Sequence, residues 1–573
     1  MKNSEGQQTS SKIVYPPEKN SELNKSQATV PTAKREYKET IRLFIKMRKS
    51  QLLFTLAFLL CLFTINVNAA ETKSAGDIDG IGSGAIETAL EGFEDFENFV
   101  GQVMSEWKAP GIAIGIVKDG KPVYLKGFGY RDLAQKLPVT PKTLFCIASS
   151  TKSFTSTGLG ILKDKGKVDW DSPIRECISW FRMKDLTANR SATIRDMLSH
   201  RTGLPAHTMM QFSIARQFNR SEIARRIQYL EPNIEFRTKW QYQNQMYQVA
   251  TVAIEKLSGM TWEDFTRKNI FEPLGMIRSR FSRSNPYEEN GKNGGDDDSS
   301  LYYKFDEDGV VEMPSIDGIL KEISGAGSIH STVSDMCNWL IMNLESGMFN
   351  GTQVVSPNTL RELHTSQILI NPELMPEILD HSYTLGWDSM IYRGHKLLNR
   401  PGGGFGTASQ VAFLPSDGIG VVILGNVDTS ICHFSIMLNV FDRLLGLEQI
   451  PWFERLGPFE EGARNAKIQM GKSTKTPNPD APPTNTLSDY TGEYENPGYG
   501  IITITLETLE KKELFLDFIE KTDLRHLNDN VFESFQLFTM QEFRFETGAD
   551  GTISSIVSTM EPSVADIVFT RVK

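Results

Sequence analysis

The chain has 573 residues, which is more than one ordinary domain needs and predicts two to four folded units. Its hydrophobic content of 39% and charged content of 23% are those of a globular protein and exclude a wholly disordered chain. Residues 1–50 hold 11 of the 61 basic and 5 of the 71 acidic residues, which leaves 50 basic and 66 acidic residues in the rest. An acidic body of this kind argues against nucleic acid as a partner.

The N-terminal residues 1–50 predict a disordered basic tail, because they hold too little apolar surface to fold alone. The basic stretch Lys46–Lys49 then precedes an apolar run from Leu52 to Ile65, and small residues follow at 67–70. This order predicts a hydrophobic signal peptide or anchor over residues 51–70. The apolar run is shorter than the roughly 20 residues that a membrane-spanning helix needs.

Two interpretations of this segment stay open. Either Met47 is the true initiator of a cleaved signal peptide, or the residues before it are a cytoplasmic tail and residues 51–67 are an uncleaved anchor. Both place the rest of the chain outside the cytoplasm, secreted or membrane-anchored, and limit membrane contact to this segment. The Gly/Ala-rich residues 71–90 predict a linker.

Residues 91–447 predict one large α+β domain. A helical pattern starts near Leu90, and Asp119-Gly120 between two apolar runs predicts a hairpin. A helix over 149–166, ended by a glycine, is followed by further helices to about residue 345. Short strands return over 383–426, and a last helix covers about 430–446. Strands at both ends of a helical region predict an antiparallel sheet flanked by helices, with an all-helical region beside it.

The Pro-rich stretch near residue 480 predicts a linker over residues 448–487. Beyond it, residues 488–573 consist of short apolar runs separated by turn signals such as Asp550-Gly551. This spacing predicts a small all-β, barrel-like domain.

Neither the cysteines nor the acidic residues predict a metal site or a cofactor. The five cysteines, at positions 61, 146, 177, 337 and 432, form no Cys-X-X-Cys pair and are expected to be free thiols, one incidental disulfide remaining possible. The acidic run Asp296–Asp298 lacks the ligand spacing of a calcium loop and predicts a solvated insertion.

Ser149 and Lys152 are the first candidates for chemistry. If a helix starts at Ser149, then Lys152 lies one turn later on the same face. A serine at a helix N-terminus sits where backbone N–H groups favour an anion, and a desolvated lysine within reach can take its proton. The Ser-X-X-Lys spacing alone is weak evidence for catalysis, because it occurs by chance in many proteins. The motifs that surround it in the chain decide how it is interpreted.

Further motifs surround this pair in a fixed order. They are Pro110-Gly111-Ile112-Ala113, Gly127-Phe128-Gly129-Tyr130-Arg131-Asp132, Ser149-Ser150-Thr151-Lys152, Met197-Leu198-Ser199-His200-Arg201-Thr202-Gly203-Leu204, Tyr242-Gln243-Asn244, Pro273-Leu274-Gly275-Met276, Ser324-Gly325-Ala326-Gly327-Ser328 and Gly402-Gly403-Gly404-Phe405-Gly406. With these motifs, residues 96–426 resemble the serine β-lactamase-like and penicillin-binding-protein family. That family includes class C β-lactamases, D-alanyl-D-alanine carboxypeptidases, D-aminopeptidases and related esterases.

The resemblance implies a role for each matching residue. Ser149 would attack the carbonyl and become acylated, Lys152 would relay its proton, and Tyr242 would transfer a proton to the leaving group and help to activate the deacylating water. Asn244 would bind the substrate amide and position Lys152. The backbone N–H groups of Ser149 and Gly403 would form the oxyanion hole. Two cationic neighbours would lower the pKa of the Tyr242 phenol.

The third motif departs from the family pattern. Where the family has Lys-Thr-Gly or His-X-Gly, this chain has Arg400-Pro401-Gly402. An arginine keeps the positive charge but cannot give up its proton, so the expected role of Arg400 is a bidentate clamp on a substrate carboxylate. His395 would fill the position only if the register slipped. His200 is expected to be a structural histidine.

The C-terminal segment is similar to the lipocalin-like β domain of some D-aminopeptidase-type members. The residues that carry this likeness are Tyr490-Thr491-Gly492-Glu493-Tyr494, Pro497-Gly498-Tyr499-Gly500 and Ile567-Val568-Phe569-Thr570-Arg571. In such members this domain caps or narrows the active site.

The sequence therefore predicts an extracytoplasmic serine hydrolase that acts on a small peptide or ester substrate, with a D-residue peptide as the favoured class. Two alternatives stay open. An esterase or transesterase would use the same residues, and a non-catalytic, membrane-tethered scaffold would keep the fold without efficient turnover. The substitution at Arg400 is the feature that favours the scaffold.

Overall fold

A computed structural model describes residues 86–87, 92–283, 298–306, 309–315, 317–428, 430–508, 512–537 and 539–572. The predicted tail at 1–50, the signal peptide or anchor at 51–70 and nearly all of the linker at 71–90 lie outside these ranges, as do Cys61, Asp296 and Asp297. Within the described ranges, no helix is long and apolar enough to cross a membrane.

The centre of the first domain is a ten-stranded antiparallel sheet. The first sixteen strands of the chain are β1 (Ile86–Glu87), β2 (Gly111–Lys118), β3 (Lys121–Asp132), β4 (Leu137–Pro138), β5 (Phe145–Cys146), β6 (Tyr302–Asp306), β7 (Gly309–Met313), β8 (His330–Ser331), β9 (Met348–Phe349), β10 (Thr352–Gln353), β11 (Ile368–Met375), β12 (Ile378–Tyr383), β13 (Asp388–Tyr392), β14 (His395–Gly404), β15 (Thr407–Leu414) and β16 (Ile419–Gly425). The order in the large sheet is β1-β3-β2-β16-β15-β14-β13-β12-β11, and β4 pairs with β3.

The sheet is assembled from both ends of the domain, as the sequence predicts. The N-terminal hairpin joins the later strands where β2 pairs with β16. Its turn at Asp119 (φ 50°) and Gly120 (φ 73°) has two residues in the left-handed region, which is the geometry of a tight hairpin. Side chains along β2 alternate between two buried clusters, one on each face of the sheet, because successive residues of a strand point to opposite faces.

Helices cover both faces and form a separate helical region. They are α1 (Phe96–Glu106), α2 (Thr151–Asp164), α3 (Ile174–Cys177), α4 (Leu186–Ser191), α5 (Ile194–Leu198), α6 (Thr208–Ala215), α7 (Arg220–Arg226), α8 (Gln245–Ser258), α9 (Trp262–Thr266), α10 (Asp317–Ile323), α11 (Val333–Leu344), α12 (Pro357–Leu363), α13 (Ser430–Leu444) and α14 (Trp452–Met470). Short 3₁₀ turns lie at Ala148–Ser150, Ile227–Tyr229, Ser324–Ala326 and Leu487–Tyr490, and a π-helical segment lies at Arg267–Phe271.

The helix α2 lies in the middle of this domain. Every residue from Thr151 to Leu162 is buried, so it has no solvent face in its first three turns. A helix buried all round belongs to the interior of a large domain. Its first turn therefore holds side chains away from water, and Lys152 is one of them.

The predicted linker at 448–487 contains a helix, which corrects that expectation for part of the segment. The 19-residue helix α14 buries Trp452, Leu456 and Glu460 and packs beside α13. The helix includes Pro458 and two glycines, which are poor helix formers, so helix propensity alone does not reveal it. Contacts with the folded domain stabilise the helix instead.

The C-terminal domain is a nearly closed, nine-stranded antiparallel barrel, in agreement with the predicted all-β fold. Its strands are β17 (Gly492–Asn496), β18 (Gly500–Thr508), β19 (Lys512–Asp517), β20 (Lys521–Asp523), β21 (Arg525–Asn528), β22 (Val531–Gln536), β23 (Thr539–Thr547), β24 (Ile553–Ser558) and β25 (Ile567–Arg571). The order is β20-β19-β18-β17-β25-β24-β23-β22-β21. Aromatic rings fill its interior, among them Tyr490, Phe532 and Phe545 with centroids 5.1–5.4 Å apart.

The barrel packs on α6 of the first domain. The Ser213 hydroxyl donates a hydrogen bond to the Tyr499 carbonyl at 2.9 Å, and the His207 Nδ1 lies 2.8 Å from the Tyr499 hydroxyl. Gln217 forms two hydrogen bonds with the backbone of Ile501, both 2.9 Å. All residues of α6 after Thr208 are buried, because the barrel covers the side that the first domain leaves open.

The four cysteines in the described ranges form no disulfide with one another. The side chains of Cys146, Cys337 and Cys432 are buried, and Cys177 is partly exposed. Asp298, the last residue of the acidic run, is buried and accepts hydrogen bonds from Thr140 and Thr143. The prediction of a solvated insertion is therefore wrong at this residue.

Candidate active site

The predicted nucleophile Ser149 lies in the 3₁₀ turn that leads into α2, one helical turn before Lys152. Lys152 is fully buried, whereas Ser149 is partly exposed. The Lys152 Nζ lies 3.0 Å from the Ser149 Oγ and donates a hydrogen bond to the Ala326 carbonyl at 2.7 Å. The turn therefore presents the serine to solvent and keeps the amine behind it.

Tyr242 reaches the same serine from the loop before α8. Its hydroxyl lies 2.6 Å from the Ser149 Oγ, and the Lys152 Nζ lies 4.9 Å from the centre of its ring. The Ser149 oxygen therefore contacts two groups that can accept or donate a proton. This is the arrangement that the sequence motifs imply.

Arg400 extends from β14 into the space behind these three residues. Its Nε donates to the Ser149 carbonyl at 3.0 Å, one terminal nitrogen to the Tyr383 hydroxyl at 2.7 Å and the other to the Tyr242 hydroxyl at 3.2 Å. The residue is only 2% exposed. The expected clamp on a substrate carboxylate does not fit this geometry, because all three guanidinium nitrogens bind groups of the protein itself.

Asn244 occupies the last position before α8. Its Nδ2 donates to the Gln211 Oε1 of α6 at 2.8 Å, and its buried Oδ1 has no hydrogen-bond partner among the described residues. Lys152 is held by the Ala326 carbonyl, so the expected positioning of Lys152 by Asn244 is not seen. Asn244 nevertheless lies two residues after Tyr242 at the same site.

The glycines of the third motif lie against the nucleophile turn. A Cβ atom at Gly402 would lie 2.3 Å from the Ile147 carbonyl oxygen and 2.9 Å from the Ser149 nitrogen, so no other residue fits there. Gly403, the next residue, is exposed. β13 pairs with β14 only as far as Asn399, so the glycines extend beyond that pairing. Gly403 is thus accessible beside Ser149, which suits its expected role.

Burial decides the protonation state of the lysine. Burial, and then the nearby positive charge of Arg400, hold the pKa of Lys152 well below its usual range. A neutral amine is the form that can take a proton from the serine hydroxyl. The lowered pKa and the contact with the Ser149 Oγ suit Lys152 to the role of base that the sequence motifs imply.

The expected lowering of the Tyr242 pKa is wrong. Burial raises the pKa of this phenol, and the opposing effects of Arg400 and of the hydrogen bond with Ser149 are smaller. Tyr242 is therefore a neutral phenol in the free protein. Burial is the larger effect, and of the two expected cations only Arg400 acts to lower the pKa of the phenol.

His200 lies against the same cluster as a packing residue. Its ring is 4.7 Å from the rings of both Tyr242 and Tyr383, and its side chain is fully buried. Burial, followed by the charges of Arg400 and Lys152, keeps the pKa of His200 well below its usual range. The position agrees with a structural histidine.

Four groups of this site were not assigned from the sequence. The Ala326 carbonyl lies inside a quoted motif, but a backbone acceptor leaves no signal in the residue type. Tyr383 and Asp388 approach Arg400 because β12, β13 and β14 are adjacent in the sheet, and only the strand order reveals this. Gln211 reaches Asn244 from α6, 33 positions earlier in the chain.

The beta-lactamase family model matches residues 96–432, which is more than half of the chain. The chain belongs to the beta-lactamase family. The match contains every candidate site residue from Ser149 to Gly403. A second model, described as a domain of unknown function, DUF3471, matches residues 476–571 and covers the barrel.

Two curated relatives cover most of the chain. The unguisins hydrolase ungD′ of Aspergillus campestris is 29% identical in an alignment of 504 residues that covers 82% of this chain and 90% of that protein. The unguisins hydrolase ungD of Aspergillus violaceofuscus is 30% identical in an alignment of 452 residues that covers 74% of this chain and 78% of that protein. Both similarities cover more of the chain than the beta-lactamase family model does.

A solved structure shows the same fold. The octameric penicillin-binding protein homologue from Pyrococcus abyssi superposes with a TM-score of 0.54 at 22% identity, and the match covers 84% of this chain and 100% of that one. At this identity the likeness concerns the fold alone.

Proposed function

We propose that this protein is a serine hydrolase that forms an acyl-enzyme on Ser149 and cleaves an amide or ester bond, with D-residue-containing peptides as its preferred substrates. The observation that carries the proposal is the pair of contacts at the Ser149 Oγ, 3.0 Å to the Lys152 Nζ and 2.6 Å to the Tyr242 hydroxyl. Membership in the beta-lactamase family and relatives that are named hydrolases support it.

In the acylation step, the neutral Lys152 accepts the hydroxyl proton of Ser149 while the Oγ forms a bond to the substrate carbonyl carbon. The carbonyl oxygen becomes an anion, which the backbone N–H groups of Ser149 and Gly403 stabilise. The close packing of Gly402 on the Ser149 nitrogen supports this assignment, because it brings the end of β14 beside the nucleophile.

The leaving group then takes the phenolic proton of Tyr242 as its bond to the carbonyl carbon breaks. The Tyr242 oxygen recovers a proton from the Lys152 ammonium, and Arg400, 3.2 Å away, stabilises the transient phenolate. The same two groups activate the water that releases the acyl group from Ser149. No metal or organic cofactor is required by these steps.

The substrate class rests on the family and on the relatives' names. Both curated relatives are named unguisins hydrolases, so unguisins are the first substrates to test. An esterase passes through the same tetrahedral intermediate and remains the second candidate. The scaffold alternative loses its main support, since Arg400 binds Tyr242 and the Ser149 carbonyl rather than leaving the site incomplete.

We also propose that the protein acts outside the cytoplasm, on the basis of the hydrophobic segment.

The first test is covalent labelling with a fluorophosphonate and a fluorescent penicillin, read by gel and intact mass. We expect one adduct on the wild type and none on Ser149→Ala, because the nucleophilic oxygen is gone. Ser153→Ala is the matched control, since this buried serine on the same helix donates to the Ser150 carbonyl and does not touch the reacting atoms.

Turnover of unguisins, D-residue peptides and simple esters then separates the substrate classes. Ester turnover without peptide turnover would favour the esterase. Absence of an adduct on a folded wild type would falsify the acyl-enzyme proposal.

A further inference from the structure

A row of buried ionisable groups continues from the active site into the sheet. His381 lies in β12, Asp388 begins β13, and Arg400 lies in β14, and these three strands are adjacent. The exposed fractions of the three residues are 0%, 3% and 2%. The row thus lies inside the protein.

The contacts in this row join end to end. The His381 Nε2 lies 3.0 Å from the Asp388 Oδ1, and the Asp388 Oδ2 lies 3.6 Å from a terminal nitrogen of Arg400. The second distance is that of an ion pair rather than a hydrogen bond. A buried guanidinium is costly without a counter-charge, and Asp388 supplies one.

We propose that Asp388 is a positioning residue for catalysis: it holds the Arg400 guanidinium in the orientation that binds the Tyr242 hydroxyl and the Ser149 carbonyl, and it balances the charge that Lys152 and Tyr242 experience. This inference rests on the proposed function, because it assigns a role toward the same nucleophile. Arg400 has no other carboxylate within ion-pair distance among the described residues.

The geometry makes the effect on Ser149 direct. The nitrogen that faces Asp388 also donates to the Tyr383 hydroxyl, and the other two bind Ser149 and Tyr242. A guanidinium is planar and rigid, so a rotation at one nitrogen displaces the other two. Loss of Asp388 therefore disturbs both the tyrosine that donates the proton and the backbone of the nucleophile.

The charges around the site fix the direction of the electrostatic effect. Arg400 from β14 is the cation, Asp388 from β13 is the carboxylate, and Lys152 from α2 is the group that must be neutral. The remaining titratable neighbours are Tyr242 and His200 from loops, Tyr247 from α8, and Tyr383 and His381 from β12. Removal of the Asp388 carboxylate makes the net charge around Lys152 more positive, and removal of the Arg400 guanidinium makes it less positive.

The two removals therefore have opposite consequences. Arg400 lowers the pKa of Lys152 and of Tyr242, and Asp388 raises the pKa of Tyr242. On the acidic side of the pH profile, kcat/KM rises as Lys152 loses its proton. In Asp388→Asn we expect this rise at lower pH than in the wild type, and in Arg400→Gln at higher pH. A residue that only stabilised the fold would not produce displacements of opposite sign.

The experiment compares these variants with the wild type. We expect Asp388→Asn to lower kcat by about 10- to 100-fold with KM nearly unchanged, because a misplacement of about 1 Å at a reacting group has effects of this size. Asp417→Asn is the matched control. It breaks another His–Asp pair, 2.9 Å between His395 at the start of β14 and Asp417 in the turn between β15 and β16. We expect it to leave kcat and the pH profile as in the wild type.

A readout that needs no substrate separates this inference from the proposed function. Titration of Lys152 by NMR of protein labelled at its lysines, assigned with Lys152→Arg, gives its pKa directly. A lower Lys152 pKa in Asp388→Asn supports the positioning role even if no substrate is turned over. An unchanged Lys152 pKa together with an unchanged kcat overturns the role.

A second variant covers the case in which Asp388→Asn does not fold. Replacement of both charges by apolar residues, Asp388→Leu with Arg400→Met, removes the buried ion pair without leaving either charge unpaired. We expect a folded protein whose Ser149 reacts slowly with the fluorophosphonate. Wild-type labelling rates at every pH in this double variant contradict the proposal.

Discussion

The interiors of the two domains differ in what they bury. Around Ser149, the catalytic domain buries Lys152, Arg400 and Asp388. Burial and the charge of Arg400 lower the pKa of Lys152, and Asp388 forms an ion pair with Arg400. The barrel fills its interior with aromatic rings such as Phe532 and Phe545, which meet edge to face. The first interior creates reactivity through desolvation, and the second supplies packing. Substitutions in the two should therefore separate activity from stability.

The largest effect should follow from Lys152→Met. The change removes the base and keeps an unbranched, buried side chain, so we expect kcat to fall by about 10²- to 10⁴-fold with little change in the melting temperature. Steady-state kinetics and thermal unfolding on the same sample measure both. Lys163→Met, further along α2 and partly exposed, is the control that should keep its activity. Activity close to that of the wild type in Lys152→Met would show that another group is the base.

A smaller effect, and one confined to stability, should follow from Phe545→Ala. The ring contacts Tyr490 and Phe532 in the centre of the barrel, so its loss leaves a cavity and lowers the free energy of unfolding by about 3–5 kcal/mol. Denaturant unfolding measures the loss. Val568→Ala, on a half-exposed side chain of β25, should change the stability by less than about 0.5 kcal/mol. A fall in kcat per folded molecule of Phe545→Ala would mean that the two interiors are coupled.

The smallest effect should follow from Gln217→Ala at the contact between the domains. The variant loses both hydrogen bonds with Ile501, which together contribute about 1–2 kcal/mol. We expect the barrel to become more susceptible to proteolysis while the rate of Ser149 labelling stays the same. Unchanged proteolysis would show that the apolar contacts of α6 alone hold the domains together.

The sequence predicts the part of the site that depends on local spacing. Ser149 and Lys152 are three positions apart on one helix, and the hairpin at Asp119-Gly120 needs only two residues to specify its turn. Both are present in the structure. The antiparallel sheet and the all-β C-terminal domain also follow the predicted pattern of apolar runs.

The sequence does not predict what depends on strand order and burial. The positive charge of Arg400 in the third motif predicts a role toward a substrate carboxylate. Its partners in the structure, Tyr383 and Asp388, come from neighbouring strands of the sheet, and the sequence gives no sign of them. The pKa of Tyr242 was expected to be low because two cations were counted beside it. Burial makes Lys152 neutral and raises the phenol pKa instead, and no sequence motif reports that depth.

The helix α6 has a consequence for how freely the two domains can be exchanged in evolution. One side of it carries Ser213, which binds the barrel, and another carries Gln211, which binds Asn244 beside the nucleophile. The helix has no polar face of its own. A gene that lost the barrel would therefore encode a catalytic domain with an exposed apolar surface next to its active site, and such a surface favours association with other proteins. Recombination with a different C-terminal domain would require compensating substitutions along α6. The two halves are therefore expected to be inherited as a pair.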